Sequence, residues 1–139
     1  MAFVSDIDKN FYHLEGEVVA FELEKKILLF KIIKVDKINL QKGKTYNIAG
    51  IEIVAPMDDF FLCVPINIAK AHYENLEQAI QSLQNKEVTW ILQMSPMRPS
   101  GIYSTPIFKT NFFEKIHEEE LQAYEIWKSE FLKGKAGVW

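Results

Sequence analysis

The sequence predicts an α+β fold: a curved, mainly antiparallel sheet or partial barrel of about 5–6 strands, covered by one short helix and one C-terminal aromatic helix. Two observations predict it. Residues 16–35 are dense in β-branched and aromatic side chains, which pack well on a pleated surface. Two later segments instead repeat apolar residues every three or four positions, as amphipathic helices do. With 139 residues, the chain is expected to form one domain, 1–139.

Residues 16–35, GEVVAFELEKKILLFKIIKV, are predicted to form two adjacent antiparallel strands. In the first strand one face is apolar, and the other becomes charged at Glu22 and Glu24. The second strand is largely apolar on both faces despite Lys31, so we expect it to lie at the centre of the sheet. The turn lacks Gly and Asn, which leaves its geometry and the register open.

The middle of the chain is predicted to continue as short strands. Residues 45–55 and 60–64 carry the apolar patterns, and Pro56 ends the first of them because proline donates no ladder hydrogen bond. Asp58 and Asp59 form a turn between the two. The first half of the chain is therefore a β-meander whose strand order stays open.

The periodicity changes after this meander. Apolar residues between Glu74 and Asn85 fall on one stripe of a helix, and residues 88–94 return to a strand pattern. A second helix is predicted from about Glu118 to Leu132, with a broad stripe formed by Leu121, Tyr124, Trp127 and Phe131. The short tail that follows is expected to fold back onto the domain.

Residues 95–106, SPMRPSGIYSTP, differ from the rest of the chain. Their three prolines disfavour both a helix and a central strand. The segment contains Arg98 and Tyr103, residue types that are common at recognition surfaces. Two interpretations stay open, a connecting loop that crosses the fold and a loop that binds a partner.

The charge and the distribution of apolar residues indicate which partners and which location to expect. The formal net charge is −3 and Arg98 is the only arginine, so a concentrated basic face for nucleic acid is not expected. The N-terminal residues do not form a signal-peptide pattern. No apolar run approaches the roughly 20 residues that span a bilayer. A cytoplasmic protein without a membrane partner is the expectation.

The sequence contains no motif that predicts catalysis or cofactor binding. The three histidines are far apart, so we expect no metal site. Neither a G-x-S-x-G elbow nor a glycine-rich phosphate loop is present, so no catalytic residue and no cofactor are predicted. Cys63 lies in an apolar run and is interpreted as a small core residue rather than a nucleophile.

Short motifs at the two ends carry a resemblance to known proteins. Residues 16–19, Gly-Glu-Val-Val, followed by a hairpin, resemble the first strands of small SH3-like barrels. They also resemble bacterial immunity proteins of polymorphic toxin systems. Residues 124–127, Tyr-Glu-Ile-Trp, and residues 137–139, Gly-Val-Trp, are similar to the helix and aromatic tail of some of these proteins. The resemblance implies a protein that neutralises a toxin by binding it.

Three functional hypotheses follow. The first is a protein-binding domain, an immunity protein in one form, with partner contacts from Arg98, Tyr103, Asp58 and Asp59. The second is a small enzyme with a pocket near His72, Asp58 and Asp59. The third is an SH3-like nucleic-acid module, which the charge disfavours. Homo-oligomer formation is left open.

Overall fold

A computed structural model describes residues 10–139 of the chain, which form nine strands and three helices. The strands are β1 (Glu17–Leu23), β2 (Lys26–Ile32), β3 (Asp36–Leu40), β4 (Thr45–Ile48), β5 (Ile51–Val54), β6 (Asp59–Cys63), β7 (Ile66–Ile68), β8 (Ile107–Phe113) and β9 (Gly137–Val138). The helices are α1 (Leu76–Gln84), α2 (Pro99–Ile102) and α3 (Glu118–Leu132).

The strands within this part of the chain are divided among three sheets, and none of them closes into a barrel. The largest has the order β7-β2-β1-β8, a second consists of β3 and β6, and the third has the order β5-β4-β9. All pairings are antiparallel except that of β4 with β9. The predicted α+β class is confirmed, while the strands are shorter and more numerous than the sequence pattern indicates.

The predicted hairpin is present as β1 and β2, with Val19 opposite Phe30. Its two-residue turn is formed by Glu24 and Lys25, whose φ angles of 51° and 65° lie in the left-handed region. That conformation is usually taken by Asn or Gly, which explains why the sequence left the turn open. Strand β2 lies between β7 and β1, so the prediction of a central second strand is confirmed.

Helix α1 covers one face of the four-stranded sheet, as its apolar stripe predicts. The side chain of Asn75 caps it by accepting a hydrogen bond of 2.9 Å from the N–H of Gln78. Ala79 and Leu83 then pack in one cluster with Leu29 and its neighbours on the sheet. The short covering helix is thus where the periodicity places it.

Residues 88–94 form an irregular segment rather than the predicted strand. Backbone bonds join Ile91 to Ile68 and Ser95 to Ile66. The single residue Asn67 therefore lies opposite three residues, Leu92, Gln93 and Met94. A continuous ladder of backbone hydrogen bonds cannot form between the two segments. The local pattern resembled a strand, but its partner β7 is only three residues long.

Helix α3 has the predicted bounds, Glu118–Leu132, but it covers the smaller sheets instead of the hairpin. Tyr124 and Phe131 are buried in a cluster with residues of β3, β4 and β6. The tail does fold back, since β9 pairs with β4. Trp139 is nevertheless 55% exposed, against the usual tendency of such a large ring to be covered.

Candidate partner-binding groove

Residues 95–106 cover the face of the four-stranded sheet opposite α1. Ile102 is buried there with Phe30 and Ile66, and Met97 packs at the edge of the same cluster. The segment is held by its backbone, because the N–H of Val64 donates to the carbonyl of Met97 at 2.7 Å. The segment therefore crosses the fold, and it also forms a wall over the sheet.

A cavity of about 210 Å³ lies between this wall and the sheet. Phe21, Phe30 and Ile68 contribute its apolar sheet side, and Met97 and Ile102 contribute the wall. The polar residues in its lining are Ser95, Ser104 and Thr105. Among residues 10–139, no charged side chain lines it.

A second cavity, of about 350 Å³, adjoins the first. Ile68 and Ser95 line both cavities, so the two meet at these residues. Ile91, Pro96 and Trp139 belong to the second cavity alone. We call the two cavities together the apolar groove.

Large apolar side chains are exposed along the apolar groove. Leu23 lines the first cavity, and Ile91 and Trp139 line the second. The side chains of all three are exposed. A concave apolar surface with exposed side chains at its rim is typical of an interaction site.

Three buried polar atoms without partners lie within residues 95–106. Arg98 Nε, Ser100 Oγ and the hydroxyl of Tyr103 are buried and accept or donate no hydrogen bond within the described part of the chain. Asn47 Oδ1 and Asn67 Oδ1 are the other such atoms there. Buried polar groups are normally paired, so three orphans within six residues need an explanation.

Two of the four predicted partner-binding residues, Arg98 and Tyr103, lie in this segment, but neither lines a cavity of the apolar groove. The ring of Tyr103 packs against Phe11 and His13, with centroids 5.8 Å and 6.3 Å away. Burial raises the pKa of the Tyr103 hydroxyl, and nearby Tyr12 and Glu17 add to the effect. The phenol consequently keeps its proton and stays a hydrogen-bond donor.

The other two predicted residues, Asp58 and Asp59, lie at the turn that enters β6, in a different sheet. Asp58 Oδ1 accepts from the N–H of Lys42 at 2.8 Å, and Asp59 Oδ1 accepts from the N–H of Phe60 at 2.8 Å. Neither lines the apolar groove. Their contacts support the turn, and the four residues do not form one continuous site with it.

The residues of the enzyme hypothesis are likewise spread over separate elements. His72 is exposed in the connection between β7 and α1, next to Tyr73, which bridges to Ile27 of the large sheet. Asp58 instead bonds to the β3–β4 connection. No cavity of the groove contains any of these acids or His72.

Sequence reasoning missed a buried polar cluster, which we call the Lys31–Glu120 cluster. Lys31 Nζ donates to Glu120 Oε1 at 2.8 Å and to the carbonyl of Lys115 at 3.0 Å. Glu120 also accepts from the N–H of His117 at 2.9 Å and from the side-chain amide of Asn67. Lys31 and Glu120 are only 1% and 4% exposed. The sequence signal for this cluster was Lys31, a lysine inside an apolar strand, but its partner Glu120 is 89 residues away.

A second pair that the sequence did not suggest joins His13 to Glu17. His13 Nδ1 lies 2.6 Å from Glu17 Oε2, and the Glu17 side chain is fully buried at the start of β1. Their i, i+4 spacing was visible, but residues 10–16 carry no helical pattern that would have brought the two together.

Cys63 is buried in the cluster under α3, and the interpretation as a core residue is confirmed. Burial raises the pKa of its thiol to about 12. The thiol is therefore protonated near neutral pH, and the thiolate needed for nucleophilic attack is scarce. Nearby Asp36 accepts hydrogen bonds from the Tyr124 hydroxyl at 2.6 Å and from Lys128 Nζ at 2.9 Å.

Metal-ligating side chains do not converge in the part of the chain that the structure describes, where no group of three His, Cys, Asp or Glu could hold an ion. Over residues 10–139, no helix has the length and apolar character needed to cross a membrane. Comparison with known proteins gave no match: no protein-family model, curated protein or solved structure is significantly similar to the chain.

Proposed function

We propose that the chain is a small protein-binding domain and that its apolar groove holds a segment of another protein. The observation that carries the proposal is the pair of adjoining cavities with a mainly apolar lining that includes exposed apolar side chains. Burying such surface against a partner removes apolar area from water, which is the main favourable contribution to association.

The dimensions of the groove favour side chains of a protein. A cavity of about 150 Å³ holds a benzene ring, so the first cavity, at about 210 Å³, has room for one large apolar side chain. The second cavity begins at Ile68 and Ser95 and takes a neighbouring side chain of the same segment. A few buried anchors of this kind supply most of the affinity in protein interfaces.

An immunity protein, which neutralises a toxin by direct binding, is the form of this function that we favour. The support is the resemblance at the two ends of the chain. The two C-terminal motifs of this resemblance, residues 124–127 and 137–139, lie together, because Trp127 Nε1 donates a hydrogen bond of 2.9 Å to the carbonyl of Gly137. Trp127 also stacks on Tyr124, with ring centroids 5.7 Å apart.

The lining of the groove argues against catalysis and against nucleic-acid binding at this surface. Acid–base or nucleophilic catalysis needs titratable side chains in the pocket, and the described residues that line the groove include none. Nucleic acid needs Lys or Arg for its phosphates, and the same lining contains neither.

The proposal predicts that a charge placed in the groove weakens partner binding. The partner is the purified product of the adjacent gene, and affinity is measured by isothermal titration calorimetry. Leu23→Glu should weaken binding at least about tenfold, because a carboxylate would be buried against an apolar anchor. Val54→Glu is the matched control, since Val54 is also an exposed apolar strand residue but lies in β5, away from the groove.

The control should change affinity less than about twofold. Equal weakening by both substitutions, or weakening by Val54→Glu alone, would place the partner on another surface. A second source of partners is a displayed library of random peptides, from which we keep peptides whose binding Leu23→Glu weakens. Absence of binding by the neighbouring product, together with the failure to select any such peptide, would overturn the proposed function.

A further inference from the structure

We propose that the partner segment in the apolar groove covers the indole ring of Trp139, with an apolar side chain against the ring and a main-chain carbonyl that accepts a hydrogen bond from Trp139 Nε1. The inference rests on the proposed function and names the residue of the groove on which the affinity depends most. It also names the chemistry that the segment brings to the second cavity.

Trp139 is accessible at the surface to which the proposed function assigns the partner. It lines the second cavity and is 55% exposed. The second cavity meets the first at Ile68 and Ser95, so a segment that occupies both cavities contacts Trp139. Tryptophan is enriched among the few residues that carry most of the binding energy in protein interfaces. An exposed tryptophan in an apolar groove is therefore the first choice for such a residue.

The main chain of Trp139 is already fixed in the chain without a partner. Its N–H donates to the carbonyl of Pro96 at 3.0 Å, and its carbonyl accepts from the N–H of Arg98 at 2.6 Å. The preceding residue, Val138, is fully buried and lies opposite Ile48 in the pairing of β9 with β4. A contact residue that is held in place loses less conformational freedom on binding, which favours affinity.

Two glycines make room for Trp139. A Cβ atom at Gly50 would lie 3.3 Å from the indole ring, and one at Gly101 would lie 2.9 Å from the Trp139 carbonyl oxygen. The second distance is shorter than Cβ atoms approach other heavy atoms. The ring therefore packs closely on Gly50 and the main chain on Gly101, which positions the residue while more than half of it stays exposed.

The indole N–H adds a polar requirement to this apolar contact. Over residues 10–139, Trp139 Nε1 forms no hydrogen bond, whereas Trp127 Nε1 donates to the carbonyl of Gly137. An indole N–H can only donate, so its partner is an acceptor. A polypeptide segment carries main-chain carbonyls beside its apolar side chains. It therefore matches the ring and the N–H together, while an acyl chain would match the ring alone.

The test compares variants of the full chain in their binding to the neighbouring product, or to a selected peptide whose binding Leu23→Glu weakens. Trp139→Ala removes the ring and its N–H, and Trp139→Phe keeps an aromatic ring but removes the N–H. Neither removes a main-chain donor or acceptor. The matched control is Phe113→Ala, because Phe113 is an aromatic residue of similar exposure, 57%, that lines neither cavity.

Trp139→Ala should weaken binding about thirtyfold or more, as the loss of a main interface contact does. Trp139→Phe should weaken it about three- to tenfold, because most of the apolar contact remains while the hydrogen bond is lost. Phe113→Ala should change the affinity less than about twofold. The midpoint of thermal unfolding should stay close to that of wild type in Trp139→Ala, since the residue is mainly exposed.

Fluorescence gives a readout that a purely structural role would not change. A selected peptide that lacks tryptophan is added to the wild-type chain. Burial of the indole should shift the emission to shorter wavelength and reduce its quenching by iodide. Both changes should be absent from Trp139→Phe at saturating peptide, where Trp90 and Trp127 are the tryptophans that remain.

Other outcomes separate this inference from the proposed function. Binding that Leu23→Glu weakens but Trp139→Ala changes less than about twofold would overturn the role of Trp139 and leave the function standing. Unchanged emission and iodide quenching of wild type on binding would do the same. A Trp139→Phe variant that binds as tightly as wild type would overturn the hydrogen bond to the carbonyl. Failure to find any partner sensitive to Leu23→Glu would overturn both the inference and the function.

Discussion

Replacing Lys31 with methionine should lower the free energy of unfolding by about 3–5 kcal/mol, because it leaves the carboxylate of Glu120 buried without a cation. Lys31 and Glu120 are almost fully buried and are 2.8 Å apart. Urea denaturation followed by circular dichroism measures the loss. The matched control is Lys34→Met, whose ion pair with Glu125 is longer, at 3.6 Å, and much more exposed than the Lys31 pair; it should cost under about 1 kcal/mol.

The pH dependence of the same variant gives an independent check. Burial alone would raise the pKa of Glu120, but hydrogen bonds from the His117 N–H and from Lys31, with the Lys31 charge, hold it below its ordinary value. In wild type, Glu120 therefore contributes stability above the pKa it has in the unfolded chain. This contribution is lost as the pH falls through its lower folded pKa.

Without Lys31 the pKa of Glu120 rises, since burial is then less opposed. Protonation at mildly acidic pH should relieve the buried charge, so the stability gap between the variant and wild type should narrow as the pH falls. Adding Glu120→Leu should recover most of the loss at neutral pH. A loss below about 1 kcal/mol with an unchanged pH profile would mean that water reaches the pair.

Replacing Phe30 with alanine should also lower the free energy of unfolding by about 3–5 kcal/mol. Phe30 lies on the central strand β2, where it is buried with Val19 and Ile66 beneath the wall of the groove. Its ring contacts that of Phe21, with centroids 5.5 Å apart. Removing it deletes these contacts and leaves a space that the short β7 cannot close.

The matched control for Phe30 is Phe113→Ala. Phe113 ends the edge strand β8 and is exposed, so its truncation should cost under about 1 kcal/mol. Guanidinium denaturation of both variants measures the difference. Similar losses for the two would mean that the fold is not organised around β2.

Features that depend on neighbouring residues could be predicted from the sequence. The bounds of α3 and the stripe of α1 follow from contacts within single turns of a helix. The central position of β2 follows from its two apolar faces.

Features that join distant segments could not be predicted. The Lys31–Glu120 cluster and the pairing of β9 with β4 connect parts of the chain far apart in sequence, and no local pattern marks them. The irregular course of residues 88–94 depends on the shortness of its partner β7 in the same way.

The candidate site was predictable in part. Arg98 and Tyr103 stood out because residue types common in recognition occurred in an irregular segment. The groove beside them is formed by separate segments, among them β1, β2 and β7, so its cavities were invisible in the sequence. Asp58 and Asp59 were chosen for their adjacency, and their carboxylates instead accept bonds from backbone N–H groups at a turn.

The central claim, that a protein partner binds in the apolar groove, is tested most directly by hydrogen–deuterium exchange of the backbone amides. Exchange is measured on the wild-type chain alone and with saturating partner, either the product of the adjacent gene or the tightest selected peptide. We predict slower exchange in residues 66–68 and 95–105 and no change in residues 57–59. Slower exchange in residues 57–59, with none in the groove, would contradict the account.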